Sequence, residues 1–139
     1  MGDKLKRRIM KTLRNLLLCA VMLFAVGCDK DETFEVSPQT LAQTVWNAEI
    51  EYFDEDDNVT GTNHCIVEFL TESVGQYNEP DMDTVRPFTY EVDKSIITID
   101  SGSYTILNGT WHIIEKSAQQ ITLQGYAPNK VVATLDRVL

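Results

Sequence analysis

From Val45 onward the chain repeats one device: short runs in which apolar and polar residues alternate, each ended by turn-forming residues. A period of two is the spacing of a strand with one buried face, and it argues against a helical bundle, whose apolar spacing is about 3.6. Trp46, Ala48, Ile50 and Tyr52 alternate with Asn47, Glu49 and Glu51, and Cys65, Val67 and Phe69 with His64, Ile66 and Glu68. Phe88, Tyr90 and Val92 alternate with Thr89, Glu91 and Asp93, a tight turn follows at Asp93-Lys94, and residues 95–100 take up the pattern again. It returns near 110–115, 119–126 and 130–138 through Trp111, Ile113, Ile121, Leu123, Val131, Ala133 and Leu135, and a weak strand fits residues 73–77. About eight short strands with short links pair in sequence as an antiparallel meander. Closing the meander on itself removes its exposed edges. The expected fold is therefore all-β, a small antiparallel up-and-down barrel, with a β-sandwich of the same strands as the alternative. Ahead of the strands, Ser37-Pro38 followed by Gln39-Thr40-Leu41-Ala42 supplies an N-cap and a first-turn proline, which predicts one short helical turn.

The 139 residues suit one such domain, and charge divides the chain sharply. Residues 1–27 carry Lys4, Lys6, Arg7, Arg8, Lys11 and Arg14 against Asp3, a charge of +5, so the remainder holds -14 of the net -9. A domain that acidic is repelled by phosphate backbones, and nucleic acid is not an expected partner. The basic start leads into an apolar run from Leu16 to Val26, then small residues and Cys28. Eleven apolar positions fit the core of a secretory signal, whereas a bilayer span takes about 20.

Ala25-Val26-Gly27-Cys28 resembles the lipobox of bacterial lipoproteins, with Ala where Leu is commoner. The resemblance implies a signal peptide over residues 1–27 and Cys28 as the lipidated first residue of the mature protein. Two or three acyl chains there would hold the protein stably to a membrane. Asp29-Lys30-Asp31-Glu32 is similar to the Lys-acidic-acidic tag that carries lipoproteins of one Gram-negative phylum to the outer face of the outer membrane. Residues 28–36 then form a lipidated acidic tether and residues 37–139 the barrel domain. The expected location is the surface side of the outer membrane, with its periplasmic face as the alternative.

Cys19 leaves with the signal and Cys28 is lipidated, so Cys65 stands alone and is expected as a small core residue. A helical turn leading into "LAQTVW" and a last strand ending "ATLDRVL" resemble the small lipocalin-like domains of surface lipoproteins. In that family a Trp of the first strand packs under an Arg of the last strand and closes one end of the barrel. The matching positions are Trp46 and Arg137, with Thr44 where the family has Gly. The family also implies a small hydrophobic or amphipathic ligand. Tyr52, Cys65, Phe69, Phe88, Tyr90 and Trp111 are the candidate ligand-facing interior positions. Only 99 residues run from Leu41 to Leu139, so the same side chains are enough to fill the barrel.

The remaining motifs are weaker. "DEDDN" at 54–58 matches the oxygen-rich start of a calcium loop, but Val59 stands where that loop needs Gly and Cys65 where it needs Glu. It reads better as a charged hairpin loop, and "EPDMD" at 79–83 as a solvated one; no metal site is expected. Asp83-Thr84-Val85 resembles the Asp-Thr-aliphatic O-glycosylation site of such bacteria, which marks Thr84. Asn108-Gly109 reads as a turn. His64 and Cys65 are neighbours on a strand and point to opposite faces, which excludes a direct dyad between them. With no nucleophile elbow, phosphate loop or zinc spacing, neither an enzyme nor a cofactor is expected. Two functions fit these residues: a ligand-binding barrel, or an interaction module whose barrel is filled by its own side chains.

Overall fold

The alternating segments become eight strands. The computed structural model describes residues 34–81 and 83–139. A single helical turn α1 (Pro38–Leu41) precedes β1 (Thr44–Phe53), β2 (Val59–Phe69), β3 (Val74–Asn78), β4 (Arg86–Asp93), β5 (Ile96–Asp100), β6 (Gly109–Lys116), β7 (Gln120–Tyr126) and β8 (Lys130–Arg137). Each strand pairs antiparallel with its neighbours in sequence, and β8 returns to β1. The protein is an all-β, closed up-and-down barrel. The sandwich alternative fails because β1 is bonded to β2 on one side and β8 on the other, which leaves no sheet edge.

Helix α1 forms where the cap chemistry asks for it. Ser37 Oγ accepts from Thr40 N–H at 3.2 Å, Thr40 Oγ1 accepts from Ser37 N–H at 2.9 Å, and Pro38 fills the first position. Leu41 is fully buried beneath the turn. Inside the barrel the alternation keeps its phase: Trp46, Ala48 and Ile50 of β1, Cys65, Val67 and Phe69 of β2, Ile121 and Leu123 of β7, and Val131, Ala133 and Leu135 of β8 are all buried in one core.

Because strands alternate in direction, the barrel has two distinct ends. Phe34, α1 and Leu139 lie at the near end, with links 70–73, 94–95 and 117–119. The far end carries loops 54–58, 79–85, 101–108 and 127–129, the last holding a cis Ala127-Pro128 bond.

Two segments depart from the alternation. β2 begins at Val59, well before the alternating part at Cys65, because its first residues pair with β1 while having no core to face. Asn108-Gly109 is not a two-residue hairpin turn. It closes an eight-residue loop in which Asn108 Oδ1 accepts from Ser101 N–H at 2.9 Å and Gly109 takes φ 124°.

Candidate functional site

The near end is closed by the residues that the sequence pairs. Trp46 and Arg137 are direct register partners across β1 and β8, and the guanidinium carbon lies 5.8 Å from the indole centroid. Trp46 is fully buried. Its indole N–H donates to Thr44 Oγ1 at 2.7 Å, and that hydroxyl donates in turn to the Leu41 carbonyl. Thr44, the residue that departs from the resembled family, thus ties the ring to the end of α1. Arg137 also reaches the Ala118 carbonyl at 3.4 Å, so link 117–119 joins the cap.

The barrel interior is filled on one side by a stack of rings. Phe69 meets Tyr90 at 4.9 Å and 71° and Phe88 at 5.9 Å and 80°, edge to face, and Tyr77 extends the row at 6.5 Å from Phe88. The Tyr90 hydroxyl donates to the Thr71 carbonyl at 2.6 Å, and burial pushes its phenol up to about 12. Two strand glycines make room for rings, a role the alternation did not reveal. A Cβ on Gly75 would come within 2.3 Å of the Phe88 ring and 2.8 Å of the Glu68 carbonyl oxygen. At Gly125 it would lie 3.3 Å from the Trp111 ring. Glycine inside an alternating run is the signal of such an approach.

Of the six candidate ligand-facing positions, five lie in this packed core: Cys65, Phe69, Phe88, Tyr90 and Trp111. Trp111 also donates its indole N–H to the Leu107 carbonyl at 2.8 Å, which draws Leu107 into the core as a plug from loop 101–108. Tyr52 is half-buried at the far mouth, its hydroxyl accepting from Asn63 Nδ2 at 3.1 Å. With Trp111, Tyr126 and Val131 it borders a hollow of about 50 Å³, against roughly 300–1,000 Å³ for a small-molecule pocket. A wider hollow of about 470 Å³ at the near end is lined by Glu35, Lys94, Ile113, Ile114 and Lys116.

Two polar groups remain inside. Cys65 is buried, and loss of solvation with the nearby Glu79 charge pushes its thiol up to about 12, so it stays protonated and unreactive. Tyr77 is 1% exposed, and its hydroxyl is the one buried side-chain polar atom without a hydrogen-bond partner among the described residues. Burial raises its pKa despite the opposing charge of Arg86. Arg86 stands opposite Tyr77 in register and stacks at 3.9 Å on the Tyr104 ring, over the same mouth.

The far end is acidic. Loop 54–58 carries four acids in succession, and loop 79–85 adds Glu79, Asp81 and Asp83 with Thr84 exposed between them and β4. The two cations at this end are engaged: Lys130 pairs with Asp57 at 3.0 Å over the Phe53 ring, and Arg86 covers Tyr104. Asp54 spends its carboxylate on its own loop. Oδ1 accepts from the backbone N–H groups of Asp56 and Asn58 at 2.9 Å each, and the bond from Asn58 leads in holding its pKa below the usual value. No group of three or more potential metal ligands converges among the described residues.

Residues 1–33, with the expected signal peptide over 1–27, Cys28 and the start of the expected tether, lie outside the described residues. Among those described, no helix is long and apolar enough to cross a membrane. Comparison of the chain with protein-family models, with curated proteins and with solved structures gives no match in any of the three.

Proposed function

We propose that this chain is a lipid-anchored protein of the bacterial outer membrane that presents the acidic far end of a filled barrel to a protein partner in the cell envelope. Residues 1–27 direct export, Cys28 carries the lipid, and the Lys-acidic pattern after it favours the outer face over the periplasmic one. The observation that carries this reading is the polarity of the barrel. The chain enters at the near end, whereas the acids of loops 54–58 and 79–85 sit at the opposite end. Five residues, 29–33, separate Cys28 from Phe34; the six steps between them span about 20 Å when fully extended. An anchor on so short a tether holds the near end beside the bilayer and turns the far loops outward. Packed side chains give those loops a rigid base, and like charges on them steer a cationic partner.

A second reading, in which the barrel takes a small apolar or amphipathic molecule, is favoured by the unpartnered hydroxyl of Tyr77. Native mass spectrometry of the mature protein from its own membrane separates the two. The expected mass is the polypeptide from Cys28 plus its acyl groups and nothing more. A discrete apolar compound released on denaturation would replace the display reading with the carrier, and an unmodified Cys28 would remove the anchor.

A further inference from the structure

We propose that the outer rim of the near end rests in the boundary layer of the bilayer, so that the barrel stands on the membrane instead of swinging on its tether. The inference rests on the reading that Cys28 is lipidated. Among the described residues ten large hydrophobic side chains are exposed, and half of them, Leu70, Val74, Ile114, Val138 and Leu139, lie at the near end.

Four of the five are joined in one arc by backbone pairing. Val138 N–H donates to the Val45 carbonyl at 2.8 Å, and Val45 N–H donates to that of Leu139 at 3.0 Å. Leu70 N–H donates to the Val74 carbonyl at 3.0 Å. Val45 pairs with Glu68, two residues from Leu70 on the same outer face, so the two valine-leucine pairs are diagonal neighbours across β1 and β2. Strand parity fixes the direction of the arc. Trp46, Phe69 and Gly75 face the core, so Val45, Leu70 and Val74 face out. Val138 is 51% exposed, Leu139 72%, and Leu70 and Val74 38% each.

An aliphatic arc on the end that a short tether holds beside lipid has the chemistry of an interfacial contact. At the far end the exposed large side chains are Val59 and Val85 with the tyrosines Tyr104 and Tyr126, among the acids. Glu68, Glu72 and Asp136 border the arc, Asp136 two residues from Val138 on the same outer face. Their charge limits the depth of the contact and favours zwitterionic lipid over anionic lipid.

The test uses the full lipidated protein in phosphatidylcholine vesicles, with a nitroxide placed in turn at Leu70→Cys, Val138→Cys and, on the far loop, Asp56→Cys. Flotation with the vesicles and the intact mass are measured first. The expected result is a ratio of oxygen to nickel-chelate accessibility several-fold higher at positions 70 and 138 than at 56, falling as anionic lipid is added. Equal nickel accessibility at all three positions in a protein that floats would overturn the seating and leave the anchor reading intact. Protection at 70 and 138 from both quenchers, with spin–spin broadening, would mean that a second copy covers the arc and would also overturn it. A protein that neither floats nor carries lipid would overturn both readings together.

Discussion

Replacing Tyr77 by Phe removes a single oxygen from the barrel interior near its far mouth, and the sign of its effect separates a filled barrel from an occupied one. The ring is packed against Phe88 and 1% exposed, so Phe keeps the hydrophobic contacts. Among the described residues the hydroxyl has no partner. A buried donor left unmade costs about 1–3 kcal/mol, and its deletion recovers a share of that. Because burial raises the phenol above its ordinary value of 10, the group is neutral at physiological pH and no charge term enters. The Y77F protein should therefore be more stable by roughly 1 kcal/mol, which for a domain of this size is about 4–8 °C in Tm. Urea unfolding at 25 °C reads the change as a rise in midpoint at constant slope. A loss of about 1 kcal/mol would refute the reasoning, since it would mean that the hydroxyl bonds a trapped water or a ligand group inside the barrel. Repeating the measurement on protein refolded from denaturant, free of anything carried through purification, would show which of the two it was.

Four further outcomes follow from the same geometry. Thr44→Val strands the buried indole N–H of Trp46 and should cost about 1–3 kcal/mol, whereas Arg137→Met, which loses a cation–π contact at 5.8 Å, should cost under about 1 kcal/mol; a reversed order in urea unfolding would contradict the cap described above. Gly75→Ala forces its Cβ onto the Phe88 ring and the Glu68 backbone, so it should lower stability by about 1–3 kcal/mol or more, and by more than Gly125→Ala, whose Cβ meets its neighbours at 3.3 Å. Cys65 should resist a thiol reagent at pH 8 in the folded protein and react on unfolding, because its thiol is buried and pushed up to about 12; fast labelling in the folded state would show an open interior. Asp54 is stabilised in its ionised form, so its contribution is full above the ordinary value of 3.8 and is lost as pH falls through the lower folded value. Carbon-detected titration should give a midpoint below 3.8, and one at or above it would break the assignment of the Asn58 and Asp56 backbone bonds.

The barrel was legible because burial on one face writes itself into the chain as alternation. Where a strand has no core to face, the record is silent: the six residues at 59–64 that begin β2 are exposed or half-exposed, so backbone pairing with β1 alone makes them a strand. Alternation marks the rings as interior but carries nothing of their arrangement. That arrangement depends on Gly75 and Gly125, which carry no hydrophobic signal and matter only through what lies against them across the ladder. Thr44 is the opposite case. Judged by resemblance it is a departure, yet its hydroxyl is the hydrogen-bond link between Trp46 and α1. Leu107 escapes the alternation because loop 101–108 reads as polar around it, although an Ile-Leu pair inside such a loop is the signal of a plug.

The topology also bears on why charge and loop length are distributed as they are. An up-and-down barrel with an even number of strands must return its last strand to the end where its first began, so both ends of the domain and three links share one rim, and the other four links share the opposite rim. Here the near links run to four, two and three residues, while the far ones run to five, seven, eight and three. Short links serve closure; long ones on a rigid base are where recognition residues can vary without disturbing the wall. The far loops hold seven of the acids against one, Glu72, in the near links, while at the near ends of the strands Asp93, Glu115 and Asp136 stand beside the exposed aliphatic side chains. A fold that only needed to close would have no reason to sort residues this way. The attachment proposed for the near end would supply one, because it would make the two rims face different surroundings, lipid on one side and water with charged partners on the other. Moving the attachment point would test that logic: a chain permuted to carry its anchor in loop 54–58 should still close its barrel, since every ladder is kept, but would bring four acids to the bilayer and should lose both the seating of Leu70 and Val138 and any binding that depends on the far loops.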